Sequence, residues 1–212
     1  MNLFQDRLDA ARQLAGPLQK YKNKPDTLLL AVPRGGLELG HLLAKELHLP
    51  LDIVLSKKIG YPNNPEFAIG AVSLDHHIVE ERFLQTGEVS PQYIDQEVKR
   101  LQALLKERNL QYHGNKAPPS LKGKTVIVVD DGVATGQTLL LTLTLLREQG
   151  VKKIVVAIPV GPPHAIETLK EHADEVICLI TPENFYAIGQ FYARFDQVEE
   201  EQAIRLFKEA NS

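Results

Sequence analysis

The stretch 126–138 places two adjacent carboxylates directly before a glycine-containing turn. Four apolar residues lead to Asp130 and Asp131, and the turn continues into a segment with helical spacing. Gly132 and Gly136 permit backbone angles that other residues avoid, so the N–H groups of the turn and of the helix start can point at one anion. The two carboxylates would repel that anion and are placed instead for sugar hydroxyls or metal-bound water. The stretch therefore predicts a site for a polyanionic ligand that carries hydroxyls.

Apolar runs that alternate with helix-like segments indicate the elements that would position this site. Continuous apolar runs are typical of strands covered on both faces, as in parallel sheets, and strand–helix alternation favours helices packed on such a sheet. The predicted fold class is therefore α/β with an open parallel central sheet flanked by helices. The predicted strands are 27–32, 51–55, 125–129, 153–158 and 175–180, and the predicted helices are 3–19, 37–47, 91–110, 137–149, 163–172 and a last one from about 199.

The carboxyl ends of these strands should meet at one edge, which is where open parallel sheets bind ligands. Arg34 follows the first strand, together with Gly35 and Gly36. Lys57 and Lys58 follow the second strand. The fourth and fifth strands lead to a proline-containing turn and to aromatic residues. Cations, backbone N–H groups, carboxylates and aromatic rings at one edge fit the same kind of ligand.

The region before the aspartate pair contains elements of a different kind. The runs 67–73 and 77–80 predict a β-hairpin, and 61–66, with two prolines and two asparagines, predicts a loop. The helix 91–110 carries an apolar stripe whose spacing fits either core packing or a coiled-coil contact with a second copy of the chain. That stripe consists of Ile94, Val98, Leu101 and Leu105.

Composition bounds the remaining possibilities. With 212 residues, the chain is long enough for one domain with its own core, and we expect a single domain over 1–212. One cysteine argues against a disulfide scaffold and a cysteine-ligated zinc site, and a net charge of −3 argues against general nucleic-acid binding. No apolar stretch approaches the ~20 residues of a membrane span, and the first residues do not resemble a secretory signal. A cytoplasmic protein is the expectation.

The stretch 126–138 resembles the phosphoribosyl-pyrophosphate signature of type I phosphoribosyltransferases, which is an apolar strand, two acidic residues and a loop ending in Thr-Gly-x-Thr. The run 31–36 is similar in position to the pyrophosphate-binding loop of that family. Lys57 and Lys58 are similar in position to its basic residues after the second strand. The resemblance covers about residues 25–195 and is closest to a poorly characterised branch of the family.

The resemblance implies a layout for the fold. The core would span about 25–180, and a small C-terminal hood of about 181–212 would form together with the N-terminal helix. A helical and hairpin insertion would precede the signature strand, and its loop 61–66 would belong to a mobile lid. The hood covers the acceptor in this family, so its aromatic residues fit either the core or stacking on an acceptor. These residues are Phe185, Tyr186, Phe191 and Tyr192.

The resemblance also implies roles for the site residues. Asp130 and Asp131 would bind ribose hydroxyls and, through water, Mg²⁺, which the substrate itself would mainly hold. Pyrophosphate would be bound by Arg34, Gly35, Gly36, Lys57 and Lys58. The 5′-phosphate would be bound by Val133, Ala134, Thr135, Gly136, Gln137 and Thr138. Gly132 would belong to the same ligand-binding loop. The residues acting at the reacting atoms would be Asp130, Asp131, Arg34 and Lys57.

The implied activity is Mg²⁺-dependent transfer of a phosphoribosyl group from phosphoribosyl pyrophosphate to a nitrogen of a nucleobase-like acceptor, with release of pyrophosphate. Two alternatives stay open. The protein could be a non-catalytic sensor of this ligand or of a nucleotide that regulates a partner. It could also be a phosphoesterase, although that chemistry favours further carboxylates at strand ends, where the sequence offers only Glu183. Arg194 stands where the closest branch leads us to expect an acidic residue.

Overall fold

The computed structural model describes residues 4–211, which fold into two compact units. Of these residues, the first unit contains 4–54, 119–136 and 150–211, and the second contains 55–118 and 137–149. Neither unit is a continuous segment, because the chain enters the second unit twice. The expectation of a single domain over the whole chain stays a prediction.

Seven α-helices, two short 3-10 helices (Gln19–Tyr21 and Ile188–Phe191) and eight strands are assigned within residues 4–211. The helices are α1 (Arg7–Leu18), α2 (Gly36–Leu47), α3 (Glu81–Gln85), α4 (Pro91–His113), α5 (Gln137–Glu148), α6 (Pro163–His172) and α7 (Glu200–Ala210). The strands are β1 (Thr27–Ala31), β2 (Leu51–Ile53), β3 (Lys57–Tyr61), β4 (Asn64–Val72), β5 (His77–Val79), β6 (Thr125–Val129), β7 (Lys153–Val160) and β8 (Glu175–Ile180). No helix in this part of the chain is both long enough and apolar enough to span a membrane.

The first unit is built on a five-stranded parallel sheet with the order β2-β1-β6-β7-β8. The three inner strands start level with one another, since Thr27 pairs with Thr125 and Thr125 pairs with Lys153. Strand β1 is buried along its whole length, and β6 and β7 are buried beyond their first residues. Helices α1, α2 and α6 pack against the strands. The predicted α/β fold with a parallel central sheet is therefore confirmed.

Helix α1 brings an arginine to the site edge of this unit. Asp6 caps the helix, because its side-chain oxygen accepts the N–H of Asp9 at 2.9 Å. The buried residues of the helix follow a three-to-four spacing that seats it on α2 and the sheet. Arg7 is the first residue of the helix and is itself buried. The prediction began this helix at residue 3, which lies outside the described residues.

The second unit is a three-stranded antiparallel sheet, β3-β4-β5, covered by helices. Helix α4 packs on β3 and β4, and α5 packs on the same two strands. The Ser56 and Thr142 hydroxyls hydrogen-bond at 2.9 Å between the two segments of the unit. The apolar stripe of α4 is buried in a core with Ile59, Ile69 and Val72. Core packing, one of the two interpretations of that stripe, is therefore confirmed.

Two expectations for this region need correction. The hairpin is present as β4 and β5, but it extends further, because β3 precedes it and was missed. The predicted loop 61–66 is the end of a second hairpin, in which Pro62 and Asn63 turn the chain between Tyr61 and Asn64. Asn63 adopts a φ of 66°, and asparagine tolerates this left-handed region better than most residues.

Candidate functional site

Backbone hydrogen bonds align the loops that leave the parallel sheet of the first unit. The N–H of Val32 donates to the Val129 carbonyl at 2.8 Å, and the N–H of Val133 donates to the Val160 carbonyl at 2.9 Å. Because all five strands are parallel, their carboxyl ends lie at the same edge of the sheet. Four of the five predicted strand-end loops, those after β1, β6, β7 and β8, therefore meet there as expected.

The turn after β1 passes very close to the aspartate pair. A Cβ atom added at Gly35 would overlap Oδ2 of Asp131. A Cβ atom added at Gly36 would lie 2.6 Å from the Val129 carbonyl oxygen. Only glycine fits at either position, so these glycines let the backbone approach the carboxylates. The peptide bond between Pro33 and Arg34, one residue earlier, is cis.

Asp131 is buried and its side chain is held by a cation. Nε of Arg7 donates to Oδ2 of Asp131 at 2.7 Å. The Tyr192 hydroxyl donates to the backbone carbonyl of Asp131 at 2.6 Å. Burial raises the pKa of Asp131, and the Arg7 guanidinium opposes that rise. Burial likewise raises the pKa of Tyr192, so its hydroxyl stays a donor.

No side-chain cation among residues 4–211 hydrogen-bonds to Asp130, although the charge of Arg7 acts to lower its pKa. Its Oδ1 accepts the N–H of Asp131 at 2.9 Å, and Oδ2 has no protein partner among residues 4–211. Burial, together with the neighbouring charge of Asp131, raises the pKa of Asp130 well above its usual range. Hydrogen bonds donated by ligand hydroxyls to this unpaired oxygen would favour the charged form of Asp130 and so lower its pKa.

The loop after β6 has the backbone that the sequence predicts. Gly136 has a φ of 77°, in the region open to glycine. The side chains of Ala134 and Thr135 are exposed, and α5 begins directly after the loop with exposed Gln137 and Thr138. The loop therefore presents two exposed residues shortly before a helix start, and helix starts can bind anions, but Gly136 itself is buried. The other predicted residues of this loop, Gly132 and Val133, are buried.

A cavity of about 430 Å³ lies beside this loop. Its walls come from the loop, from the start of α6 and from the segment after β8. We call residues 181–196 the hood segment. The cavity residues include Ala134, Thr135, His164, Glu183, Phe185 and Tyr186.

The aromatic residues of the hood segment divide into two sets. Phe191 and Tyr192 are buried, and Tyr192 lies 5.3 Å from the Phe4 ring between centroids. Phe185 and Tyr186 line the cavity instead, and Tyr186 is 90% exposed. Core packing is therefore confirmed for Phe191 and Tyr192, whereas stacking of an acceptor on Phe185 or Tyr186 stays a prediction.

The predicted cations are distributed differently from the expectation. Arg34 stays with the first unit, where its Nη1 lies 3.7 Å from Oε2 of Glu199. Lys57 and Lys58 do not extend β2 but begin β3, in the antiparallel sheet of the second unit. Nζ of Lys58 pairs with Oε2 of Glu66 across the hairpin at 2.7 Å. Strand β2 ends at Ile53, two residues before the predicted end at residue 55. The lysines therefore do not follow the strand directly.

Sequence reasoning missed Arg7 and Glu38, two charged residues at the site edge. Arg7 opens α1 and Glu38 lies in the first turn of α2, where each has the appearance of a solvated helix residue. Nη1 of Arg7 lies 3.6 Å from Oε2 of Glu38. Glu38 gives no signal in the sequence, because acidic residues are common in the first turn of a helix. Arg7 gives only a weak signal, because a basic residue is less expected in a first turn.

The donor set fits Mg²⁺ only in part. No group of three or more histidine, cysteine, aspartate or glutamate side chains in the range 4–211 is arranged to hold a metal ion. Asp130 and Asp131 supply two carboxylates, and Arg7 already occupies one oxygen of Asp131. Mg²⁺ commonly keeps several waters and takes one or two carboxylates plus substrate phosphates. The residues present fit an ion that is carried mainly by a phosphorylated ligand.

Comparison with known sequences places the chain in a family. The sequence family described as "Phosphoribosyl transferase domain" matches residues 3–196. The chain belongs to this family. It is 33% identical over 212 residues to "Putative phosphoribosyl transferase Rv0571c" of Mycobacterium tuberculosis, covering 100% of the present chain and 48% of the relative. The chain thus spans about half the length of the curated relatives it matches.

Two solved structures resemble the fold of this phosphoribosyl transferase domain. The chain is 35% identical to TT1426 from Thermus thermophilus, with a TM-score of 0.87 and coverage of 99% of both chains. A purine phosphoribosyltransferase from Pyrococcus horikoshii is 19% identical, with a TM-score of 0.51 over 94% of this chain and 99% of that one. The second likeness concerns the fold alone.

Proposed function

We propose that this phosphoribosyl transferase domain binds phosphoribosyl pyrophosphate and transfers its phosphoribosyl group to a nitrogen of a nucleobase-like acceptor. One observation carries the proposal. A single edge of the parallel sheet holds the aspartate pair, the glycine turn at 35–36 and the accessible loop before α5, beside a cavity with aromatic walls. These features match, in order, a sugar, a pyrophosphate, a 5′-phosphate and a flat heterocycle.

The proposed reaction needs positioning more than covalent catalysis. The bond between ribose C1 and the pyrophosphate oxygen breaks, and pyrophosphate leaves with the electron pair. A bond forms between C1 and the acceptor nitrogen, and the proton of that nitrogen passes to water or to the departing pyrophosphate. Positive charge develops on the ribose ring between these events. Asp130 would orient the ribose hydroxyls, and the N–H of Gly35 would hold the departing pyrophosphate. The N–H of Gly36, which the sequence also predicts as a pyrophosphate ligand, instead donates to the Val32 carbonyl at 3.1 Å.

Mg²⁺ would supply charge neutralisation to the leaving pyrophosphate when it is bound. Asp130 and Asp131 would contact it through water, which agrees with the small carboxylate set at the site. Arg34 would add positive charge at the turn after β1. Lys57 and Lys58 belong to the same proposal as pyrophosphate ligands, resting on the family resemblance and not on their position in β3.

The acceptor would enter the cavity beside the hood segment. Tyr186, and the face of Phe185 that is not stacked on the Phe191 ring, would offer aromatic surface on which a planar base can stack. Glu183 and His164 supply polar groups at the same cavity, which could read the edge of the base. The acceptor is therefore proposed to be a flat nitrogen heterocycle.

Thermal unfolding with and without Mg²⁺ and phosphoribosyl pyrophosphate tests binding. At 100 times the dissociation constant, a ligand specific for the native state adds about 2.7 kcal/mol. For a chain of this size, that raises the melting temperature by roughly 5–10 °C. Asp130→Asn should abolish most of this shift, whereas Asp95→Asn, at an exposed position of α4, should keep it. The absence of a shift in the wild-type protein at millimolar ligand would contradict the proposal.

Release of pyrophosphate with a panel of nucleobases tests turnover. A base that accelerates release in the wild-type protein, but not in Asp130→Asn, supports the transferase. Ligand binding without release for any base would instead favour the sensing role. Hydrolysis of phosphate esters without an acceptor would favour a phosphoesterase.

A further inference from the structure

Arg7 is a buried cation that joins three separate parts of the first unit. Its exposed fraction is 7%, and arginine is rarely buried so deeply unless it is paired. It lies at the start of α1, yet it contacts Asp131 after β6, Glu38 in α2 and the backbone of Asp196 at the end of the hood segment. No other arginine within residues 4–211 is among the buried residues.

The guanidinium of Arg7 makes contacts through Nε, through Nη1 and through its plane. Nε donates to Asp131 Oδ2 at 2.7 Å, and Nη1 donates to the Asp196 carbonyl at 2.7 Å. Nη1 also lies 3.6 Å from Glu38 Oε2. The plane sits over the ring of Phe195, with Cζ 3.9 Å from the ring centroid. A planar fork that donates in two directions and stacks on a ring is specific to arginine.

The contact with Asp131 also fixes the turn after β1. The oxygen that Arg7 binds, Oδ2, is the atom that leaves no space for a side chain at Gly35. The rotamer of Asp131 and the backbone path at Gly35 therefore depend on each other. Arg7 fixes the rotamer of Asp131 by its hydrogen bond to Oδ2. Arg7 also places one positive charge beside two adjacent carboxylates, which lessens their repulsion of an anionic ligand.

We infer that Arg7 is a positioning residue of this site: it locks Asp131 against the Gly35 turn and couples both to the hood segment. The inference rests on the proposed function and deepens it. It gives the two aspartates different tasks, because Asp130 keeps an open oxygen for the ligand while Asp131 is mainly held by the protein. Arg7 acts through Asp131 and Gly35, and is not itself placed at the reacting atoms.

A matched pair of arginines tests this inference. Arg194 also ties α1 to the hood segment, because its Nη2 lies 2.6 Å from Oδ2 of Asp6, but it is 71% exposed and does not reach Asp131. Arg7→Met should weaken the affinity for phosphoribosyl pyrophosphate at least tenfold, measured by calorimetry on the folded protein with Mg²⁺. Arg194→Met should change it less than threefold. Equal losses in both variants would overturn the inference, since the general tie between the segments would then be responsible.

The conservative variant and a double-mutant cycle separate positioning from general structure. Arg7→Lys keeps the positive charge but loses the planar guanidinium, so the affinity of this variant for phosphoribosyl pyrophosphate should lie between those of the wild type and Arg7→Met.

If Arg7 acts through Asp131, combining Arg7→Met with Asp131→Asn should weaken binding no more than Asp131→Asn alone. Arg194→Met combined with Asp131→Asn should instead show independent effects. Fully additive effects of Arg7→Met and Asp131→Asn would overturn the inference. If Arg7→Met does not fold, the same cycle is run with Arg7→Lys.

Hydrogen exchange distinguishes failure of this inference from failure of the proposed function. If the wild-type protein does not bind phosphoribosyl pyrophosphate, the proposed function fails, but the locking of the turn can still be measured. Amide exchange at Gly35 and Gly36 should accelerate at least tenfold in Arg7→Met and stay within threefold of wild type in Arg194→Met. Unchanged exchange in Arg7→Met would overturn the inference whatever the ligand proves to be.

Discussion

Asp130 and Asp131 are neighbours in sequence but have different surroundings. Asp131 bonds Arg7 and packs against Gly35, whereas Asp130 has an oxygen without a protein partner among residues 4–211. Substituting Asp131 and substituting Asp130 should therefore have different consequences. Loss of the Asp131 carboxylate should change the shape of the site, whereas loss of the Asp130 carboxylate should remove contacts with a ligand.

At the scale of single residues, Gly35→Ala should damage the site without unfolding the protein. The new methyl group would overlap the Asp131 carboxylate, so either the turn or the carboxylate must move. We expect at least a tenfold loss of affinity for phosphoribosyl pyrophosphate, with a melting temperature lowered by only a few degrees because the turn is half-buried. Calorimetry and thermal unfolding of the same sample check this. Wild-type affinity in Gly35→Ala would show that the turn does not bind the ligand.

Sequence reasoning found the residues whose signal is local and missed those whose partners are distant. The aspartate pair and the loop glycines are recognisable from one short stretch, residues 126–138. Arg7 meets Asp131, which is 124 positions later in the chain. A basic residue in the first turn of an amphipathic helix carries no local sign of such a partner. Long-range pairing of this kind comes from the topology of the sheet, which one sequence does not specify.

At the scale of elements, the amino edge of the sheet has a polar cluster opposite the site edge. Tyr21 donates to Glu175 Oε2 at 2.6 Å, and Nζ of Lys153 donates to the Tyr21 hydroxyl at 2.7 Å and to Glu175 at 3.1 Å. Lys20 pairs with the other oxygen of Glu175. Burial opposes ionisation of Glu175, but the hydrogen bonds from Lys20, Tyr21 and Lys153 outweigh it and lower its pKa to about 2.

Glu175→Gln should remove a pH-dependent part of the stability. A lowered folded-state pKa means that the contribution is complete above the unfolded-state pKa of about 4.3 and is lost as the pH falls toward 2. Solvent screens part of the interaction, so we expect about 1–2 kcal/mol. Urea unfolding between pH 2 and 6 measures it, and Glu171→Gln, exposed on α6, is the control. Parallel pH profiles for wild type and Glu175→Gln would contradict the assignment.

The stripe of α4 gives a prediction in which adjacent leucines differ. Leu105 is 1% exposed in the core of the second unit, whereas Leu104 is 40% exposed. Leu105→Ala should cost about 2–5 kcal/mol through lost burial and a cavity, and Leu104→Ala less than about 1 kcal/mol. Denaturant unfolding of both variants decides it. A larger loss for Leu104→Ala would point to a contact that covers that face in solution.

Most elements were predictable because their patterns are strong. The three inner strands of the parallel sheet are nearly pure runs of aliphatic residues, and β6, α6 and β8 have the predicted bounds. Strand β3 was missed because it begins with Lys57 and Lys58 and contains Gly60, so it lacks the apolar content of the others. Strand β3 forms because it pairs with β4, and nothing in the sequence of β3 indicates that pairing.

At the scale of the whole molecule, the second unit is assembled from two separate segments. Helix α5 packs on β3 and β4 and buries Leu139, Leu143 and Leu146. A fragment of residues 55–118 lacks this helix. We expect that fragment to show no cooperative thermal transition by circular dichroism, because the apolar surface under α5 would face water. A fragment that melts cooperatively on its own would show that α5 is dispensable to the second unit.

The exposed position of Tyr186 at the cavity has a spectroscopic consequence. The chain contains no tryptophan, so any tryptophan introduced by mutation is the sole indole in the spectrum. Tyr186→Trp would place that fluorophore at the cavity mouth with little disturbance of packing, because the tyrosine it replaces is almost fully exposed. Its emission would report the arrival of a stacking heterocycle directly, and a titration of candidate bases could rank them without any turnover.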